Sequence, residues 1–578
     1  MRRRGHYLIL AAVLIGAAAI RFSNLDLKFL CIDEVDTTVF SLGRSLNEVP
    51  QEVAVPISAL DQMFVLNREA TYAEIARAVT TEDVHPPVFF CLMHGWLKLV
   101  GVSVWTLRAL PALLGVLAVA AVYALSRVAF SRAAGLMAAA MMAVSPFAVH
   151  LSQEARHYTL PMFLLTLALL ALVLIQKEVS ERQRVRWPIL LAWMVINSIG
   201  FYVHYFFVLS FMAQAATLIA LIWLQRRTIP LRCWTWVGLA AGAVALSYLP
   251  WLSIVMHQVT RSETNWLNLS YANWREILSP PFLALAAMLT MAIVLPVGGQ
   301  LPWIADPSTL LMILFGLWMA WQLSKGWTQL WRNPDTHRAI LILTGITLCV
   351  LVEFLANTYI LRKNVFRYFR YHTFYYPALC ALAGASLAAL PSGAGRLGKT
   401  RLGRYLGSLS PRRIQGIVLL VGVISSAFVV TDLAAQKPFY YPGVARNLAM
   451  DRSSPVLMVV VYKSSLDVIL GLSYMFEVRK LQSKGVGRGK SAGIYFAFLN
   501  RSQGDEEVRQ KILEFRRSLD HPLDLWLVGW AGRFRHLTGM GCVPDPIQRY
   551  WFGSLELYRC VERPGAEFRI QRSSLEAK

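Results

Sequence analysis

A chain of 578 residues that is 56% hydrophobic, carries 18 Trp and has a mean hydropathy of +0.47 is too apolar for a soluble enzyme and repeatedly offers runs able to cross a bilayer. Its formal charge of +23 would suggest nucleic acid in a soluble protein, but Lys and Arg crowd short segments between apolar runs, so the basicity is topological and nucleic acid is not a partner. Membrane lipids are, and a share of the cations suits anionic lipid phosphates. The seven Cys show no metal-finger spacing, which argues against redox or zinc-finger chemistry.

Met1-Arg2-Arg3-Arg4 precedes an apolar run, Tyr7 to Ile20, that lacks a small-residue cleavage site and reads as a first transmembrane helix with a cytoplasmic start. Cys31-Ile32-Asp33-Glu34-Val35-Asp36 then emerges on the outer side. The stretch to Asp83 is mixed and polar, with Tyr72 to Val79 reading as a short amphipathic helix suited to a membrane surface.

Six further segments are long enough to span: Leu107 to Leu125, Ala133 to His150, Tyr158 to Ile175, Trp187 to Val203, Phe206 to Leu224 and Trp234 to Val255. Basic clusters separate them at Arg127/Arg132, Lys177 to Arg186 and Arg226 to Arg232. With those clusters in the cytoplasm, Gln153-Glu154-Ala155-Arg156 and Tyr202 to Tyr205 fall outside, on the side of Asp33. Pro87 to Val100, short for a span, is then re-entrant or interfacial.

Downstream, an outer region from His257 to Ser308 holds a second non-crossing run, Phe282 to Val297. Thr309 to Leu323 goes in, Lys325 to Arg338 is inside, and Ala339 to Tyr359 comes out. Arg362 to Tyr371 lies outside, Phe374 to Leu390 returns to the basic loop ending at Arg413, and Ile414 to Val430 is the last crossing. The expected architecture is a polytopic α-helical membrane protein of about 11 transmembrane helices with additional re-entrant or interfacial helices. It is a multi-pass protein of the plasma (inner) membrane with its N-terminus in the cytoplasm.

The tail changes character. Val456 to Val461, Ile494 to Phe498 and Leu523 to Val528 read as buried strands, with Glu506 to Leu519 as a helix between two of them, which makes a small extracytoplasmic α/β domain. The expected division is a membrane domain over 1–435, carrying the outer loop 23–86, and a second domain over 436–578. If the tail lies outside, Cys542 and Cys560 stand in an oxidising space and can pair.

Several residues invite a chemical reading. Asp33 and Glu34, with Asp36, can hold a divalent metal or supply a general base; a solvated loop explains the same residues. His85-Pro86-Pro87 offers a metal or phosphate ligand, or merely a rigid turn before a helix. Glu154 and Arg156 suit either a site or a local ion pair. Tyr202 and His204, beside Tyr205, suit either a site or an aromatic belt. Arg367, Arg370, Tyr371 and His372 gather cations where Arg can clamp a lipid phosphate, or anchor headgroups.

The order of these pieces resembles the protein O-mannosyltransferase and lipid A aminoarabinose transferase superfamily, of the GT-C fold. The matching elements are Asp33-Glu34 after a first helix, His85-Pro86-Pro87 before a helix ending Leu97-Lys98-Leu99-Val100-Gly101, then Leu107-Arg108-Ala109-Leu110-Pro111. Ser145-Pro146-Phe147, Ser152-Gln153-Glu154-Ala155-Arg156 and a late Arg370-Tyr371 with Pro377 complete the series. The resemblance implies a glycosyltransferase that moves a sugar from a polyprenyl-phosphate donor to a hydroxyl of an unknown acceptor on the extracytoplasmic face, with inversion. It implies Asp33 and Glu34 as catalytic, and His85, Glu154, Arg156, Tyr202, His204, Arg370 and Tyr371 as substrate or lipid-phosphate contacts. Glu34 and His85 are the candidates for a divalent metal. No nucleotide cofactor is expected, because neither a Walker sequence nor a persuasive dinucleotide fingerprint is present. The aminoarabinose enzymes have Glu-Lys-Pro where this chain has His85-Pro86-Pro87, so their lysine is missing here. The competing class is a transporter or flippase of lipid-linked sugars, which would place more ionisable residues at mid-membrane; a noncatalytic membrane scaffold is a third.

Overall fold

The computed structural model describes residues 3–259, 267–269, 274–391, 409–435, 441–449, 455–485, 493–519, 523–530, 542–544 and 555–560. They form two compact units, one of residues 1–28 and 70–436, the other of residues 29–69 and 437–578.

The first unit is helical. It opens with α1 (Arg3–Phe22); the second unit takes α2 (Ile32–Ser41) and β1 (Ala54–Pro56) before the chain returns. Then come α3 (Tyr72–Glu82), α4 (Val88–Val100), α5 (Val104–Ala129), α6 (Arg132–Val144), α7 (Pro146–Ser152), α8 (Thr159–Arg182) and α9 (Trp187–Phe201). They are followed by α10 (Phe207–Gln225), α11 (Leu231–Ser247), α12 (Leu249–Val259), α13 (Trp274–Thr290), α14 (Pro302–Arg332), α15 (Pro334–Tyr359), α16 (Tyr376–Ala388) and α17 (Pro411–Val430).

Among the described residues seven helices are long and apolar enough to cross a membrane, and counting the bent pairs α6/α7 and α11/α12 as one span each makes nine. The other two segments expected to span are α9 and α16, of 15 and 13 residues. Beyond the expected span Thr309 to Leu323, Lys325 to Arg332 continues α14 to its end, a helix of 31 residues. The Lys325 ammonium lies over the Trp321 ring one turn back, so its charge sits on the helix face and does not end the helix.

The bend of 59° between α6 and α7 has a local cause. Pro146 has no N–H and its ring bars an unbroken helix, so the last carbonyls of α6 lose intrahelical donors. Arg21, wholly buried at the end of α1, replaces them: its Nη2 donates to the Met142 carbonyl at 2.8 Å and its Nη1 to that of Ala143 at 2.9 Å. Ser426 Oγ donates to the Val144 carbonyl at 2.8 Å. The chain leaving α1 is held by buried Arg108, whose Nη1 donates to the carbonyls of Leu25 at 2.6 Å and Lys28 at 2.9 Å.

The second unit is α/β. Its remaining elements are α18 (Tyr441–Ala449), β2 (Val456–Tyr462), α19 (Ser465–Ser483), β3 (Ile494–Asn500), α20 (Asp505–Ser518), β4 (Leu523–Val528), β5 (Cys542–Pro544) and β6 (Leu555–Cys560). The sheet order is β1-β3-β2-β4-β6-β5, with β3, β2 and β4 parallel and the outer strands antiparallel. β2 reads as an apolar run, and β4 as one interrupted only by Asp524, because both faces are covered. Leu457, Val459 and Val461 pack with Val508, Ile512 and Phe515 of α20. On the opposite face Val460 and Phe498 lie against Gly471 of α19, whose missing side chain lets the helix approach. Cys542 stands directly opposite Cys560 in the β5/β6 register; their side chains fall outside the described residues.

The stretch 29–69 is built into this sheet. β1 pairs with β3, the Glu52 N–H bonds to the Phe498 carbonyl at 2.9 Å, and the Asn500 N–H bonds to the Glu52 carboxylate at 2.7 Å. Arg479 of α19 forms a two-pronged ion pair with Asp61. Gly471→Val should therefore strain residues from both ends of the chain. Its Cβ would meet Phe498 and Val460 side-chain carbons at 2.7 Å, an overpacking worth about 1–3 kcal/mol. Hydrogen exchange should rise over 51–56 and 494–500 together; a rise confined to 494–500 would show that the two segments do not share one cooperative unit.

Candidate functional site

The site in the first unit is assembled from four connections between helices. The α3–α4 turn is fixed at both ends: Gln258 of α12 donates to the carbonyls of Thr80 at 3.1 Å and Asp83 at 3.2 Å, and the Tyr202 carbonyl accepts the Val88 N–H, at the start of α4, at 3.2 Å. Between those clamps lie Asp83, His85 and two prolines that limit the backbone. The α7–α8 turn, delivered by the bend at Pro146, carries Arg156, His157 and Tyr158. The α9–α10 turn brings His204, and the α15–α16 connection brings Tyr368, Arg370 and Tyr371.

His85 is bonded at both nitrogens. Arg156 Nη2 donates to Nε2 at 3.0 Å, which fixes the tautomer with its proton on Nδ1, and Nδ1 faces Asp83 Oδ2 at 2.7 Å. Burial alone would raise the Asp83 carboxyl, but its electrostatic interaction and hydrogen bond with His85, the charge of Arg156 and the Val84 backbone hydrogen bond outweigh it and hold it below the ordinary carboxylate range. The Arg370 guanidinium lies 5.6 Å from the Tyr158 ring centre and 5.7 Å from that of Tyr368, within cation–π range.

The imidazoles gather beside these cations. The His157 ring centre is 5.2 Å from that of His85 and 4.9 Å from that of His204. His204 Nδ1 accepts the Phe206 N–H at 3.0 Å, leaving its proton on Nε2, and Tyr371 closes the group at 5.9 Å from the His204 ring. Burial, then repulsion from neighbouring cationic groups, pushes His157 and His204 well below the ordinary histidine value, so both are neutral at pH 7. His372 is separate. It bonds to Tyr375 Oη at 2.6 Å and to the Phe366 carbonyl at 3.3 Å, and burial pushes it down to about 4.

The structure thus brings His85, Arg156, His204, Arg370 and Tyr371 together. Glu154 lies 3.3 Å from His150. The Tyr202 phenol turns elsewhere, donating to the Ser247 carbonyl at 2.7 Å and packing on Trp251. Asp33 and Glu34 belong to the second unit, in the first turn of α2, where negative charge suits the helix dipole; buried Glu34 accepts the Cys31 N–H at 3.1 Å. Asp83, His157 and Tyr158 were not singled out from the sequence. The available signals were weak: Asp83 two residues before His85, and His157 inside the Ser152-to-Tyr158 motif.

One guanidinium bonded to His85 and another over tyrosine faces, with the Asp83 carboxylate engaged by His85, gather fixed positive charge at the ends of spans. With both architecture and site in view, comparison with known structures defines the class. ArnT from Cupriavidus metallidurans superposes in its apo state with a TM-score of 0.53 at 12% identity, covering 96% of this chain and 97% of that one. ArnT from the same organism bound to undecaprenyl phosphate gives 0.54 at 13%, covering 98% and 100%. The chain is a multi-pass membrane protein of the GT-C glycosyltransferase fold. Within that class, residues 84–253 match the sequence model of the dolichyl-phosphate-mannose-protein mannosyltransferase family, which bears out the resemblance read from the motifs. No curated protein sequence matches the chain.

The depressed histidines set a pH dependence. His157 and His204 stay neutral in the folded protein while their unfolded counterparts take up protons below the ordinary value of 6.5. The stability they contribute is therefore complete above that value and is lost as pH falls below it toward their folded values. The melting temperature in detergent should drop between about pH 7.5 and about pH 5.5. A flat or rising profile over that interval would contradict neutral burial of the pair.

Proposed function

We propose that the protein transfers a sugar from a polyprenyl-phosphate-linked donor to an acceptor hydroxyl on the extracytoplasmic face of the membrane. The observation that carries this reading is the buried Arg156 guanidinium bonded to His85, with Arg370 beside the same aromatic turn. A phosphate monoester leaving group needs fixed positive charge where its own charge grows, and these side chains are ordered before the reaction begins. The binding of undecaprenyl phosphate by a protein of the same fold supports the choice of carrier.

In this reading Arg156 and Arg370 hold the carrier phosphate. Asp33 on α2 is the base that accepts the acceptor's proton as its oxygen attacks the anomeric carbon, so a single displacement inverts that centre. Glu34, whose carboxylate caps its own helix, positions Asp33. His204 and Tyr371 line the donor site; Glu154 and Tyr202 support the turns that carry it.

A divalent ion is a further part of the proposal. Carboxylate and imidazole are suitable donors for one, and His85 would offer Nδ1, 2.7 Å from Asp83 Oδ2, while its Nε2 faces Arg156. When bound, such an ion would neutralise phosphate charge.

Purified protein supplied with a synthetic polyprenyl-phosphate sugar, with and without a chelator, tests the reading. Asp33→Asn should insert and bind the carrier normally while turnover falls roughly 10²–10⁴-fold, the range for a lost general base. Arg370→Ala should weaken carrier binding instead, because what it loses is a phosphate contact. Near-normal turnover by Asp33→Asn would defeat the base assignment, and donor binding without any sugar release by the unaltered protein would favour a transporter.

A further inference from the structure

The turn that delivers Arg156 also delivers a buried polar side chain to which the proposed reaction gives no task. His157 is 1% exposed, and neither Nδ1 nor Nε2 has a hydrogen-bond partner. Buried polar atoms in native proteins are nearly always satisfied, so an imidazole bare at both nitrogens needs a cause. Packing does not supply one. Its immediate surroundings are rings, with Tyr158 at 4.3 Å, His204 at 4.9 Å, His85 at 5.2 Å and Phe89 at 6.0 Å between centres. A phenyl ring would fill that space without burying two polar atoms.

What an imidazole offers there, and a phenyl does not, is an N–H close to the charges of Arg156 and Arg370. The group that satisfies it must bring acceptor atoms and negative charge. A phosphate has both, and its several oxygens can take donors from more than one side.

We infer that His157 is a direct contact of the bound ligand, donating a ring N–H to a phosphate oxygen of the carrier that Arg156 and Arg370 hold. This rests on the carrier-binding reading and adds to it a residue whose ring N–H is satisfied only when the site is filled. The neutral state of the ring in the free protein fits, since an imidazolium beside two guanidiniums would repel them until an anion arrives. A stability cost in the empty protein, returned as affinity, is the expected pattern for a residue kept for binding.

The test uses the full chain in detergent with three probes: polyprenyl phosphate without sugar, inorganic phosphate, and the uncharged polyprenol. His157→Phe should melt at the same temperature as the unaltered protein or higher, yet bind polyprenyl phosphate roughly 10- to 100-fold more weakly, as for one lost hydrogen bond to a charged group. Inorganic phosphate should weaken by a similar factor and polyprenol not at all. His157→Gln, which keeps an N–H donor and serves if the Phe variant does not fold, should hold affinity within about threefold of the unaltered protein. Unchanged phosphate affinity in His157→Phe, or a Gln variant that binds no better than it, would overturn the assignment. Failure of the unaltered protein to bind polyprenyl phosphate would instead remove the carrier-binding reading on which the assignment rests.

Discussion

The break between α6 and α7 is the constraint on which the site depends. Within a bilayer no water is at hand for freed backbone carbonyls, and each one left bare costs several kcal/mol. Pro146 frees them, and Arg21 of α1, with Ser426 of α17, takes them up. The packing around this point is close. A side chain at Gly115 would strike Ser152 Oγ at 2.2 Å and the Arg21 guanidinium at 3.0 Å, and one at Gly422 would meet Val144 at 2.5 Å. The bent helix can therefore exist only with α1, α5 and α17 in place. Its reward is the direction of α7, which sends the turn bearing Arg156, His157 and Tyr158 toward the histidine after α3.

Electrostatics explains why that cluster is tolerable when empty. Arg156 and Arg370 carry fixed charge, and each is given a soft or polar partner: His85 for one, tyrosine faces for the other. The nearby histidines contribute little further repulsion because His157 and His204 are held neutral. Asp83 offsets part of the rest. The group is thus ordered and cationic without being so charged that it unfolds its own turns, the condition under which an incoming anion gains most.

Much of this was legible in the sequence wherever a local pattern exists. The apolar runs fell on helices, and the three apolar strands of the tail fell on β2, β3 and β4, because periodicity and run length are local signals. The cations of the site were visible because charged residues at span boundaries are conspicuous. What escaped was tertiary. Asp33, Glu34 and Asp36 read as a loop but open a helix, and nothing near Ala54 announces a three-residue strand pairing with Ile494–Asn500. Nor could sequence spacing show that the Tyr202 phenol turns to Ser247 while His204, two residues on, turns to His157. Nor does spacing show that the Lys325 ammonium lies over the Trp321 ring of its own helix. The stretch 29–69 folds with the tail, which gives the α/β unit a structural task in holding α2.

The central claim is that Arg156 and Arg370 form the seat of a carrier phosphate. The most direct measurement is an electron cryomicroscopy structure of the full chain with polyprenyl phosphate. The account predicts phosphate density within hydrogen-bond distance of both guanidiniums, about 2.7–2.9 Å for such charge-assisted contacts. A well-ordered phosphate bound elsewhere, with Arg156 still bonded to His85 and nothing beside Arg370, would contradict it.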